Sequence, residues 1–125
     1  MRRFVTACFA LAALVNLAPT PGALSAARME AAYGVTIAGS DLEILMRHRA
    51  LLFGVVGGLL LAACFRTGLR PLAAAVGLFS MLSFGIVVLA VGDANPALQR
   101  LAGIDLVASA VLVAGALLDR RLQRD

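Results

Sequence analysis

"EILMRHRALLFGVVGG", residues 43–58, is the stretch whose reading decides the fold. Arg47, His48 and Arg49 lead directly into Ala50–Phe65, a run without a single charge. Just upstream, Ser40 and Glu43 have the S-x-x-E spacing of a capping box, in which each side chain satisfies a free backbone N–H at a helix start. A helix over 41–65 would be roughly 37 Å long at 1.5 Å per residue, enough to cross a hydrocarbon core of about 30 Å. Arginines at the mouth of a membrane helix then need an explanation, because they lie at a depth where charge is costly.

Three further apolar segments share this character. They cover about 4–19, 71–92 and 96–119, with Pro71 suited to a first helical turn and Asn95-Pro96 to a cap followed by N1. The chain is 62% hydrophobic and 14% charged, with a mean hydropathy of +0.96. A soluble domain of 125 residues has too much surface for its volume to hide that much apolar side chain, so lipid must cover the excess. The expected fold is all-α: an integral membrane four-helix bundle forming a single transmembrane domain. Residues 21–33, Ala-rich and followed by Gly34, predict a short interfacial helix between the first two spans. A basic start, an apolar core and an A-x-S site at Ala23–Ser25 also fit a cleaved signal peptide, which would leave three spans.

The loops predict direction. Arg2 and Arg3, Arg66 and Arg70, and Arg120, Arg121 and Arg124 fall on one side of four crossings, which the positive-inside rule makes the cytoplasm. Glu30, Asp41, Glu43 and Asp93 fall on the other. The expectation is a bacterial inner membrane with both termini cytoplasmic. All eleven basic residues are arginine, and the net charge is +4. They sit at segment ends, without the extended basic face and interleaved aromatics of a nucleic-acid binder, so anionic headgroups are the expected counter-charges. Cys8 and Cys64 stand alone in apolar segments and have no metal or CxxC spacing. No catalytic fingerprint is present, and neither an enzyme activity nor a cofactor is expected; "FGVVGG" lacks the lysine and the strand of a phosphate loop.

The polar residues within the spans are the candidate site. Arg47 and Arg49 lie roughly 9 to 12 Å into the second span, and Arg47 shares a stripe with Glu43, Gly54 and Gly58, where glycines allow a neighbouring helix close. Asp105 lies at a similar depth in the fourth span, about 15 Å beyond Asn95. A lone carboxylate there costs about 2.5 to 3.5 kcal/mol and should face inward. The expectation is an Arg47–Asp105 ion pair in the outer half of the bundle, with Asn16, Ser80 and Ser109 extending the polar site and Glu43 competing for Arg47. Arg49 is expected to snorkel outward. Such a pair serves either to fix register or to bind a lipid headgroup, a quinone or a small anion.

The order of these features, from "EAAYGVTIAGSDLEILMRHRALLFGVVGGLLLAACFR" through "LRPLAAAVGLFSMLSFGIVVLA" to "NPALQRLAGIDLVASAVL", resembles a family of small bacterial four-helix membrane proteins, distantly DoxX-like. The resemblance spans nearly the whole chain and rests on Arg47, Arg49, Gly54, Gly58, Ser80 and Asp105. It implies an accessory role in the membrane, with lipid, a quinone or another membrane protein as partner. A homodimer through the glycine faces also fits. Members of such families are sometimes labelled phosphopantetheine adenylyltransferase, but that enzyme resembles an α/β fold with an H-x-G-H element and this chain has one histidine. Small multidrug transporters resemble the chain in size only, since their first-helix carboxylate has Asn16 in its place. A proton-coupled carrier using Asp105 is the competing class.

Overall fold

The computed structural model describes residues 1–124 as five α-helices: α1 (Arg2–Leu17), α2 (Ala26–Tyr33), α3 (Ser40–Phe65), α4 (Arg70–Val91) and α5 (Pro96–Arg124). Short 3-10 turns at Thr20–Leu24 and Thr67–Leu69 complete the chain. The four long helices run up and down in a ring, α1 against α3, α3 against α4, α4 against α5 and α5 against α1. Each is long and apolar enough to cross a membrane. The protein is therefore a multi-pass helical membrane protein.

Burial has the pattern that lipid demands. The central seam holds Val5, Phe9, Ala12, Leu60, Ala63, Ala73, Met81 and Leu112. Alanine is frequent there because small side chains let helix backbones approach, which is how helices associate when lipid is as apolar as leucine. Many large residues turn outward instead: Phe79 is 77% exposed and Leu89 84%. Helices α1 and α3 come close at Gly57, where an added Cβ would lie 2.5 Å from Leu17 Cγ and 3.0 Å from the Leu17 backbone nitrogen. Gly54 receives Thr20 in the same way, whereas Gly58 faces open space. The glycine expected to admit a neighbour at 58 is one residue out of step with the one that does.

Local signals worked unevenly. Asn95 caps α5 by accepting from Leu98 N–H at 2.9 Å, and its amide also donates to the carbonyls of Tyr33 and Gly34. One side chain thus ties the end of α2 to the start of α5. Gly34 closes α2 with φ 62°, a conformation costly for any residue with a Cβ. The capping box at Ser40 does not form. Ser40 is already helical, Gly39 is the cap, and the Glu43 carboxylate is taken by Arg47. The segment 21–33 splits into the 3-10 turn and α2, with Ser25 accepting from Arg28 N–H between them. Helix α2 also buries Met29 and Tyr33 against the bundle, so it is a cap on the helices as well as a connection.

At the opposite end Arg70 and Asp119, 5% and 6% exposed, form a buried ion pair at 2.5 Å. Arg70 also donates to the Ala63 carbonyl and the Thr6 hydroxyl and lies 5.8 Å from the centre of the Phe9 ring. Gln123 donates to the second Asp119 oxygen. Four helices meet at one guanidinium.

Replacing Gly57 with Ala should force α1 and α3 apart and lower stability by about 1–3 kcal/mol, as overpacking does. Gly58→Ala, pointing into open space, should leave stability unchanged or raise it by up to about 1 kcal/mol. Equilibrium unfolding of both variants in detergent micelles gives the comparison.

Candidate functional site

Arg47 and Asp105 do not pair. Arg47 bonds Glu43 one turn back at 2.5 Å and the Ala23 carbonyl at 3.3 Å, holding the 3-10 turn against α3. The Glu43–Arg47 pair is two-fifths exposed and belongs to the rim of the bundle. The reason is topological. In the ring α3 and α5 stand diagonally opposite, and the 47–54 stripe of α3 faces the turn that follows α1. The glycine stripe did mark a close neighbour, but the neighbour is that turn.

Of the two α3 arginines at this end, Arg49 is the one that turns toward the bundle. It begins the stripe Arg49–Phe53–Val56–Leu60–Ala63, whose lower members are core. The Arg49 guanidinium carbon lies 5.1 Å from the centre of the Tyr33 ring, 4.9 Å from that of Phe53 and 5.1 Å from that of Phe84. Three elements, α2, α3 and α4, contribute one ring each. Arg49 therefore does not snorkel to the headgroups as its position near the helix mouth suggested.

Arg49 and Asp105 line the same cavity of 240 Å³, together with Asn16, Tyr33, Phe53 and Phe84. Each lies nine residues into its helix from the α2 end, about 13 Å at 1.5 Å per residue. They nevertheless form no ion pair: those among the described residues are Arg47–Glu43 and Arg70–Asp119. Neither the Arg49 guanidinium nor the Asp105 carboxylate has a hydrogen-bond partner among the described residues. Asn16, 1% exposed, accepts from the Ser80 hydroxyl at 3.0 Å and donates to the Ala12 carbonyl, which fixes that wall. Ser109 does not join the polar group through its hydroxyl, which bonds back to the Asp105 carbonyl at 2.7 Å.

The cavity has neighbours on two sides. Arg49, Phe53 and Phe84 also line a 410 Å³ cleft between α3 and α4, with Ser80, Ser83 and Val87. On the α2 side Tyr33 and Leu101 separate it from a recess bordered by Arg28 and Met29. Burial pushes the Tyr33 phenol above its ordinary value, against a smaller opposing effect of Arg49, so the ring remains a neutral hydroxyl donor. His48 lies on the exposed face of α3. No cluster of metal-ligating side chains exists among the described residues.

Of the residues expected from sequence, Asp105, Asn16 and Ser80 come together here; Arg47 and Glu43 lie outside, and Ser109 is satisfied locally. Arg49, Tyr33, Phe53 and Phe84 were missed as site residues. The legible signal was the i, i+4, i+7, i+11 spacing from Arg49 to Leu60, which marks the inward face by large apolar residues instead of glycines. No protein-family model matches the chain, and neither does any curated protein or solved structure with which it was compared.

The two intramembrane carboxylates should respond oppositely to neutralisation. Asp119→Asn leaves Arg70 buried without its counter-charge and should cost about 3–5 kcal/mol, recovered in large part by Arg70→Met with Asp119→Leu. Asp105→Asn breaks no pair and removes an unpartnered charge at membrane depth, so it should leave stability unchanged or raise it. Thermal unfolding in one detergent ranks them directly.

Proposed function

We propose that this protein binds an amphiphile of the membrane, a lipid or an isoprenoid quinone, as a small non-catalytic accessory protein. The polar head would occupy the Arg49–Asp105 cavity and the apolar tail would leave through the α3–α4 cleft. The observation that carries the reading is the unpaired state of Arg49 and Asp105 in one cavity. A charge held at membrane depth without a partner is costly, and bundles normally remove that cost by pairing, as Arg70 and Asp119 do. The Arg49 guanidinium lies over ring faces and has no hydrogen-bond partner among the described residues, so its N–H donors can still receive a phosphate or a quinone carbonyl. The cleft supplies the other requirement, an apolar exit flanked by Phe53, Phe84 and Val87.

The proposed setting is a bacterial inner membrane with both termini in the cytoplasm, as the distant DoxX-like resemblance and the positive-inside rule together suggest. Arg2, Arg3, Arg66, Arg120, Arg121 and Arg124 are all exposed at the end of the bundle away from α2, which supports that orientation.

A proton-coupled carrier using Asp105 is the second reading. The recess beside Arg28, one side-chain layer from the cavity, favours it. Extraction from native membranes in mild detergent, followed by mass spectrometry, should release an amphiphile from the wild type and much less from Arg49→Gln. Proteoliposomes of the wild type should move no proton or solute. Proton-coupled flux abolished by Asp105→Asn would replace binding with transport.

A further inference from the structure

The Arg49–Asp105 cavity presents two opposite charges that do not neutralise each other. Both face the same 240 Å³ space, yet they lie beyond salt-bridge distance. A simple anion would meet Arg49 and be repelled by Asp105, and a simple cation would have the reverse problem. A ligand carrying both charges, separated by a short linker, satisfies both walls. Resting on the amphiphile reading above, we propose that the cavity selects a zwitterionic phosphate–ammonium headgroup, with the phosphate on Arg49 and a primary ammonium on Asp105.

The surroundings refine the choice between ammonium types. A quaternary ammonium is recognised by open aromatic faces. Here Tyr33, Phe53 and Phe84 already surround the Arg49 guanidinium. Asp105 offers a carboxylate with no hydrogen-bond donor of its own, which suits the N–H groups of a primary amine. Ser80 and Ser83 lie in the adjoining cleft, where a glycerol backbone would pass between the two chambers. The chemistry is that of an aminophospholipid, or of the same headgroup free in water.

The test uses the full-length chain in detergent, with native mass spectrometry of phosphatidylethanolamine, phosphatidylcholine and phosphatidylglycerol of matched acyl chains. Glycerophosphoethanolamine serves as the soluble headgroup. Phosphatidylethanolamine should be retained at least about tenfold better than the other two lipids, the size of one charge-assisted hydrogen bond. Asp105→Asn, which breaks no structural pair, should erase that preference while leaving phosphatidylglycerol bound. Asp105→Glu should keep the preference, and Arg49→Gln should weaken both lipids. Tight binding of glycerophosphoethanolamine would uphold the charge pattern and make the source a soluble zwitterion. Lipids retained without regard to headgroup, or an order unchanged by Asp105→Asn, would overturn the zwitterion assignment alone. Retention of no amphiphile and no soluble headgroup would overturn both it and the binding function.

Discussion

The Arg70–Asp119 pair is the constraint on which the bundle depends. Taking two charges out of water is expensive enough that a buried pair persists only where its remaining donors and lone pairs are also satisfied. Here they are. Arg70 extends from α4 to the Ala63 carbonyl on α3, to the Thr6 hydroxyl on α1 and to Asp119 on α5, while Gln123 completes Asp119. Sliding any one helix by a residue moves its groups by about 1.5 Å and breaks at least one of these bonds. Apolar packing in lipid has little directional preference, so this polar clamp supplies the register that an alanine-rich seam leaves loose.

The other end of the bundle is built on a different principle. There Asn95 joins α2 to α5, and the Glu30 carboxylate accepts from Ile37 N–H to close the loop that follows. These bonds hold a small cap over the helix ends. Beneath it α3 and α4 part enough to leave the cleft beside Phe53 and Phe84. One end is closed by a buried charge pair, and the other keeps Arg49 and Asp105 apart. The same two residue types, arginine and aspartate, appear in both places. Only their treatment differs, and that difference separates a structural pair from a candidate site.

Much of the architecture was legible in the sequence because it follows from length and hydropathy alone. Pro71, Asn95-Pro96 and Gly34 marked helix ends through local backbone chemistry that needs no tertiary context. Ser40 failed as a cap because Glu43 had a stronger claim from Arg47, a competition within one turn that a spacing rule does not weigh. The site was half legible. Asp105 had to face inward, but which arginine it would meet depended on the ring order of the helices. Periodicity tells which residues share a face and not which neighbour the face meets. Asp119 escaped notice for another reason: a lone acid beside Arg120 and Arg121 reads as a solvated end, though it lies among the arginines of the basic end.

The aromatic surround of Arg49 resolves how an unpaired guanidinium persists at that depth. Placing an arginine at the middle of a membrane helix costs about 2.5 to 3.5 kcal/mol on the insertion scale, and Arg49, nine residues into α3, meets part of that cost. A cation–π contact returns about 0.5 to 2 kcal/mol, so Tyr33, Phe53 and Phe84 together offset a penalty of that order. A carboxylate partner would offset it too, but by occupying the N–H donors along the edge of the fork. Rings interact with the cation through their faces and leave that edge unbonded. Asp105, held across the same cavity and not against the guanidinium, preserves the second charge in the same way. The aromatic triad is therefore the feature that keeps this arginine available to something other than the protein itself.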